Sequence, residues 1–565
     1  MLKNIFITGL ALGLLVLSGC KKSFLNRPPL SAPTAGTFYQ TDADILNGTG
    51  PLYNASWDPY NGTAMEAIGD VLGGNSLTDD YNGRGAWLTF SIPATDGSIG
   101  GAYSAFWSVI ANANVVAYNI TNAGGGASKS AKNSGLAECR FMRAAAYYYL
   151  ALDWGPVPII YDNTVQLHDS TTHRNNLADV WKFIIIDLSW AKDNLPTATS
   201  QAGRVTRWSA EGMLARAYLV RSGLNGTNGQ RNQSDLDSAK YWSADVCHNS
   251  GLTLLGNYYN LFTSKYFSGT TVPAECLFGL FWVPGGSYFV HNQLQSNLAY
   301  DPKITQTGDG WGGSFGASPS LMQYFLDPAN SADSIRRKAI MFMPGDYYPD
   351  IDVADGGWHV DTTLFNNGKI TAPGQSGQGG IDHAFVKKYV IGSPKDNGGL
   401  GGQQNENIST YMFRLSDVYL NYADAILGNS ASTSDPEALN YFNSVRARAG
   451  IAPKTSITYS DIYEEKKIEF AFEGHQFYDW KMWYYFNPTA AMNYFSTQNR
   501  GNYNITYNAG HPFITYFGTD NKAIGTVTYN VTPATADLSY PESELLVAPN
   551  LTQPPVAFDF SKLPK

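Results

Sequence analysis

The chain is poor in cysteine, in charge and in long apolar runs. Only four cysteines occur in 565 residues. Cys20 closes the leading apolar segment, which leaves Cys139, Cys247 and Cys276. An odd number at scattered spacing fits neither a disulfide framework nor a zinc site. Cys139 lies in an apolar helical stretch and reads as a small core residue. Charged residues make up 15% of the chain and the net charge is −9. That balance excludes nucleic acid as a partner, because phosphates demand a basic face. Beyond the leading segment no apolar run approaches the ~20 residues needed to cross a bilayer. Signatures of catalysis are missing too: there is no His-Glu-x-x-His pattern, nucleophile elbow or P-loop. Glycines 308, 310, 312 and 313 follow no strand-to-helix dinucleotide fingerprint. No cofactor and no metal are expected.

What is present begins at the first residues. Met1-Leu2-Lys3 gives a basic tip, Ile5 to Leu17 a short apolar core, and Leu17-Ser18-Gly19-Cys20 the lipobox pattern of bacterial lipoproteins. Residues 1–19 are predicted to be a signal peptide. Small Ser18 and Gly19 open the bond to the peptidase, and the Cys20 thiol takes the diacylglyceryl group, with palmitate among its acyl chains. Several acyl chains hold firmly, at about 0.8 kcal/mol per buried methylene. The chain also carries 13 Trp, 36 Tyr and 28 Phe. Many of these fill the core. Such an excess also suits a sugar-binding surface, where a pyranose face stacks on a ring and polar ring atoms meet hydroxyls. The 56 glycines point to long loops between helices.

Helical spacing appears in separated blocks. Ala105 to Ile120, Leu136 to Leu152, Val180 to Leu195 and Ser209 to Val220 each place apolar residues three and four apart. Residues 231–407 are rich in Gly, Asn, Ser, Thr and Tyr, with only short helical patterns. Helices return at Arg414 to Leu427, after Asp435-Pro436, and from Ser460 to Glu473-Gly474-His475. Paired helices of this length resemble tetratricopeptide units. The expected fold is mainly α: tetratricopeptide-like helical hairpins forming an α-α superhelix, a large loop-rich face and few short strands. Residues 20–565 form one unit, divided into an N-terminal helical part (20–230), a loop-rich insertion (231–407) and a C-terminal helical part (408–565).

The segment Glu464 to Asp479 has the residue types of acid–base catalysis. Glu469 and Glu473 are four apart and are expected on one helix face. Glycosidase carboxyls instead flank a bound sugar, so the cluster reads as buried ion pairs and caps. Asp350, Asp352 and Asp355 miss the spacing of an EF-hand calcium loop.

Four blocks, in order, resemble the SusD/RagB family of outer-membrane nutrient-binding lipoproteins of Bacteroidetes-type bacteria. The first is Cys20 with Phe24-Leu25-Asn26-Arg27-Pro28. The second is Arg140-Phe141-Met142-Arg143-Ala144 with Trp154-Gly155-Pro156-Val157-Pro158. The third is Arg414-Leu415-Ser416-Asp417-Val418-Tyr419-Leu420, through Val445-Arg446-Ala447-Arg448-Ala449-Gly450, to Glu469–Asp479. The fourth is Pro541-Glu542-Ser543-Glu544 with Asn550-Leu551-Thr552-Gln553-Pro554. Lys21 and Lys22 stand where members exported to the cell surface often carry acidic residues. The resemblance implies a non-catalytic, lipid-anchored protein of the outer membrane, exposed at the cell surface. Such a protein is a lid over a SusC-like, TonB-dependent β-barrel transporter and takes up an oligosaccharide or, in some relatives, a peptide. A surface scaffold binding only proteins is the reading from a different class.

Aromatics on glycine-rich loops are the candidate ligand residues. Trp87 and Trp311 are expected to stack on sugar, with Tyr81 third. Asn82, Arg84 and Asp309 are expected to bond hydroxyls. Trp282 and Tyr288, beside the Pro284-Gly285-Gly286 turn, are further candidates.

Overall fold

The computed structural model describes residues 38–78, 85–166, 172–224, 226, 229–286, 290–312, 315–360, 384–501, 503–508, 511–516 and 531–563. The lipobox and Cys20, the block at residues 24–28, and Tyr81, Asn82, Arg84 and Tyr288 lie outside them.

The fold is mainly α, and several of its helices start where a capping side chain and apolar spacing coincide. Helix α1 (Gly97–Asn122) starts where the Asp96 carboxylate accepts from the amides of Ser98 and Ile99. Helix α2 (Lys129–Trp154) starts at Ser128, and from Ala144 to Trp154 it is buried on every side. Helices α3 (Leu177–Asn194), α4 (Arg207–Gly223) and α5 (Gln233–Asn249) follow. Each packs on the one before it, as successive hairpins. Arg143 ties three of them together. Its guanidinium meets the Asp187 carboxylate of α3 in a two-bond fork at 2.8 and 2.9 Å and donates to Asn114 of α1 at 2.6 Å. The Arg-Phe-Met-Arg-Ala block is therefore a joint of the fold.

Helix α5 corrects the sequence reading, which placed its residues in the loop-rich insertion. Its buried residues are Asp235, Leu236, Ala239, Ser243 and Val246. The spacing is helical, but only Leu236 and Val246 among the five are large and apolar, so the apolar signal is weak. Helix α5 packs on α6 (Leu415–Leu427), joining the N-terminal hairpins to the C-terminal ones. Arg216 of α4 reinforces that joint, bonding Asp417 of α6 at 2.7 Å with both side chains buried.

Helix α7 (Pro436–Arg448) has Asp435 as its cap and Pro436 in its first turn, as the sequence indicates. Helix α8 (Tyr459–Glu469) opens with a reciprocal cap between Thr458 and Asp461. It ends at Glu469, four residues before Glu473. Turns then lead into α9 (Gln476–Phe486). Glu469 and Glu473 thus do not share a helix face.

The described strands form four antiparallel pairs: β1 (Ser76–Thr78) with β3 (Phe315–Ala317), β2 (Cys276–Leu280) with β6 (Thr410–Arg414), β4 (Tyr347–Tyr348) with β5 (Trp358–His359), and β7 (Tyr503–Asn508) with β8 (His511–Tyr516). Cys139, Cys247 and Cys276 are free thiols. No helix among the described residues is long and apolar enough to cross a membrane.

Candidate functional site

Trp311 is the candidate that the structure leaves open, with 40% of its surface exposed. Its backbone is held firmly. The Trp311 amide donates to Ser296 and the Gly312 amide to Ala299, at 2.9 and 2.8 Å, against the short helix Leu294–Leu298. Gly312 permits this close approach, since a Cβ there would fall 2.1 Å from the Leu298 carbonyl carbon. Gly310 turns the chain at a φ of +111°. A large ring is thus presented to solvent on a fixed backbone, the arrangement that suits stacking without a heavy ordering cost.

Asp309 serves that loop from beneath. It is fully buried, accepting from the Ser296 hydroxyl and, at 2.7 Å, from the Gln404 amide. The Ser296 hydroxyl also meets the buried Glu406 carboxyl. One hydroxyl proton cannot serve two carboxylates, so Glu406 must supply a proton of its own. Burial pushes the Glu406 carboxyl up to about 8, with the Asp309 charge adding to the rise. Asp309 therefore holds the loop, and no surface of it is left to meet a sugar hydroxyl.

This acid pair yields a pH prediction. Glu406 keeps its proton in the folded chain, whereas the unfolded chain releases it near 4.5. Its stabilising contribution is complete below about pH 4.5 and is lost as pH rises through about 8. Glu406→Gln keeps a hydrogen-bond donor for Ser296 and removes the titration. The thermal midpoint of the variant should decline less between those pH values than that of the parent. Identical slopes would refute the shared proton.

Two other tryptophans prove to be core residues. Trp87 is wholly buried, with its indole nitrogen donating to Asp96 at 3.1 Å, so no ring face is free to stack. Trp282, 2% exposed, donates to Thr410, which donates to Asn61, which donates to Asn292. That chain ties the segment after β2 to the start of β6 and on to Asn292, just ahead of the short helix on which the Trp311 loop rests.

The β4–β5 hairpin contributes aromatics that the sequence reading missed. Tyr347 is 40% exposed and stacks on exposed His359, with ring centres 4.4 Å apart. The half-buried Trp358 donates to the hydroxyl of Tyr300, just before the Trp311 loop. Gln306 in that loop reaches Asp352 in the hairpin at 2.8 Å. Hairpin and loop are therefore neighbours, and among the described residues Trp311, Trp358 and Tyr347 are aromatics on these two segments that keep exposed surface. The Gly356-Gly357-Trp358 run was the legible signal. Asp350 is occupied by Tyr259 and Asp352 by Gln306. No group of three metal-ligating side chains occurs among the described residues.

The carboxylates that resembled a catalytic set lie in a buried ion network. Arg414 grips both oxygens of Glu473, at 2.7 and 2.8 Å, and reaches Glu469 at 3.0 Å and Glu275 at 2.9 Å. Lys388 adds a bond to Glu473 at 2.9 Å, and Arg448 bonds both Glu275 and Glu469. Burial raises the Glu473 carboxyl, but Arg414 and Lys388 outweigh it and hold the group at about 2. The carboxylates meet at a strand end and two helix ends, where they act as joints.

Comparison with known proteins places the chain. A profile described as "SusD family" matches residues 291–556, and one described as "Starch-binding associating with outer membrane" matches residues 43–219. The chain is similar to a "SusD-like protein" of Bacteroides ovatus, 37% identical over 562 residues and 97% of each chain. It is 25% identical over 494 residues to "SusD-like protein P2" of Formosa agariphila, covering 83% of this chain and 88% of that one. A crystal structure determined with a xylogluco-oligosaccharide superposes with a TM-score of 0.80 at 35% identity, over 91% of this chain and 99% of that one. A laminarin-binding SusD-like protein shares the fold, with a TM-score of 0.63 at 20% identity, over 90% of this chain and 98% of that one. At 37% identity over 97% of both chains, with the two profiles matching in order along this one, the chain belongs to the SusD-like family.

Proposed function

We propose that the protein is an outer-membrane lipoprotein, anchored through acylated Cys20 and exposed at the cell surface. It captures an oligosaccharide or polysaccharide without cleaving it and delivers it to a SusC-like, TonB-dependent β-barrel transporter. The observation that carries the reading is Trp311, exposed on a backbone braced by Gly312, Ser296 and the buried Asp309–Glu406 pair. A pyranose ring lies flat on such an indole, and polar atoms around it select hydroxyl geometry. The hairpin aromatics extend the apolar surface for a chain of several sugars. The xylogluco-oligosaccharide held by the 35%-identical relative names the first ligand to try. The carboxylates of residues 469 and 473 are each held by two or more cations, which suits binding without hydrolysis.

The test is affinity electrophoresis of residues 21–565 through gels containing xyloglucan, laminarin, starch and other polysaccharides. Selective retardation by one class is the expected result, with no sugar released on prolonged incubation. Release of oligosaccharides by the pure protein would overturn the non-catalytic reading. Absence of retardation on every gel would shift the weight to a peptide ligand or a protein scaffold.

A further inference from the structure

A second cleft, of about 470 Å³, opens between residues 257–266, the short helix Ser334–Ile340 and the turn at Pro349-Asp350. Its chemistry differs from that of the Trp311 loop. Tyr259 forms part of one wall, and its hydroxyl meets both oxygens of Asp350 at 2.8 and 2.9 Å. On the core side, the Lys387 ammonium stands 4.8 Å from the centre of the Tyr259 ring. Burial lowers that ammonium to about 8 although Asp350 acts against the fall, so it remains mostly charged at neutral pH. Asp350 is thus held by the Tyr259 hydroxyl and feels the Lys387 charge without forming an ion pair with it; the Lys387 ammonium itself donates to the Val390 carbonyl at 2.9 Å.

The cleft's other two charges are not answered. Lys265 and Lys338 both line it, and neither is in an ion pair among the described residues. Lys338 leans over the Tyr348 ring at 5.2 Å. Two ammonium groups without an ion-pair partner among the described residues, against the one carboxylate of Asp350, make this cleft locally cationic in a chain of net charge −9. They raise the local concentration of anions and reward one that sits between them. Tyr266, Pro349 and the 41%-exposed Ile335 supply apolar wall. Asn257 uses its side-chain oxygen to hold the Tyr259 amide, which leaves its NH2 group to donate, and the Asn260 amide lines the same cleft. Ring wall, amides and two ammonium groups lining one cleft together match a sugar that carries a negative charge better than a neutral sugar or a bare ion.

We propose that this cleft binds an acidic saccharide, a pyranose bearing a carboxylate or a sulfate ester, with its anion between Lys265 and Lys338 and its ring against Tyr259 and Tyr266. The site is independent of the glycan reading of the Trp311 loop and stands or falls separately. Its size admits one or two sugar rings.

The test is isothermal titration calorimetry of residues 21–565 with digalacturonate, galactose 6-sulfate, neutral galactobiose and sodium sulfate. The parent, the Lys265→Ala/Lys338→Ala double variant and Trp311→Ala are compared, in low and high salt. The expected result is saturable binding of at least one acidic sugar, weakened about tenfold or more in the double variant and by added salt. Trp311→Ala should leave that binding unchanged. Digalacturonate alone would identify the carboxylate as the recognised anion, and galactose 6-sulfate alone the ester. Four outcomes overturn the proposal: no saturable binding of either acidic sugar, undiminished binding by the double variant, equal affinity for galactobiose or for sodium sulfate, or loss of acidic-sugar binding in Trp311→Ala. Lys265 is exposed and Lys338 half-buried, and an unchanged melting temperature in the double variant would separate lost binding from lost structure.

Discussion

Arg414→Met should lower the stability of the protein by about 3–5 kcal/mol, read as a lower midpoint in guanidinium chloride. The arginine is 1% exposed and touches Glu275, Glu469 and Glu473. Removing it does not simply delete favourable contacts. It leaves three buried carboxylates to share Lys388, Arg448 and Arg336, and desolvated charge without a partner is costly. Met fills much of the same volume, so a cavity contributes little to the expected loss. The contrasting control is Lys454→Ala. Lys454 pairs with Asp461 where both side chains are partly exposed, and such pairs contribute about 0–1 kcal/mol. If the two variants cost the same, the network does not hold the helix ends together. Glu469→Gln belongs to the same experiment, because a catalytic role would remove activity from a fold that persists, whereas a structural role weakens the fold.

Trp311→Ala should weaken polysaccharide binding by about 2 kcal/mol, roughly thirtyfold, while the melting temperature stays within a degree or so of the parent. A ring exposed over 40% of its surface contributes modestly to the core, and the loop is held by backbone bonds and by Asp309, which the substitution leaves in place. Trp311→Phe should keep part of the affinity, since the stacking surface shrinks without vanishing. The comparison with Trp87→Ala is informative. Trp87 has no exposed surface, so any binding lost there must arrive with a lower melting temperature. Retardation that survives Trp311→Ala would discard this loop as the site and leave the β4–β5 hairpin aromatics as the place to look.

The helical hairpins were legible because their signals are local. Apolar residues three and four apart mark the buried faces, and Asp435-Pro436 marks the start of α7. The caps Asp96, Ser128, Thr206 and Thr458, which the sequence reading did not use, start their helices earlier than the spacing indicated. Where few of the buried side chains are large and apolar, as in α5, the same reading failed. The loop-rich middle was harder. Trp87, Trp282 and Trp311 have much the same neighbourhood in sequence, a tryptophan beside glycines or prolines. Their fates were set by distant partners: Trp282 by Thr410, and Trp311 by the backbone at Ser296 and Ala299.

The residues alone determined a mainly helical chain of the SusD-like kind, together with the expectation of a lipid anchor and of ion pairs in place of catalytic carboxylates. Capping groups, apolar period and motif order lie within short stretches and survive without knowledge of the rest. Only the tertiary structure decided which aromatic faces solvent, that Asp309 braces a loop, and that Glu473 returns past a helix end to the arginine that also holds Glu469. Exposure and ion pairing depend on which distant segments pack together, and a burial free energy set by such contacts leaves no periodic trace in the sequence around any one residue.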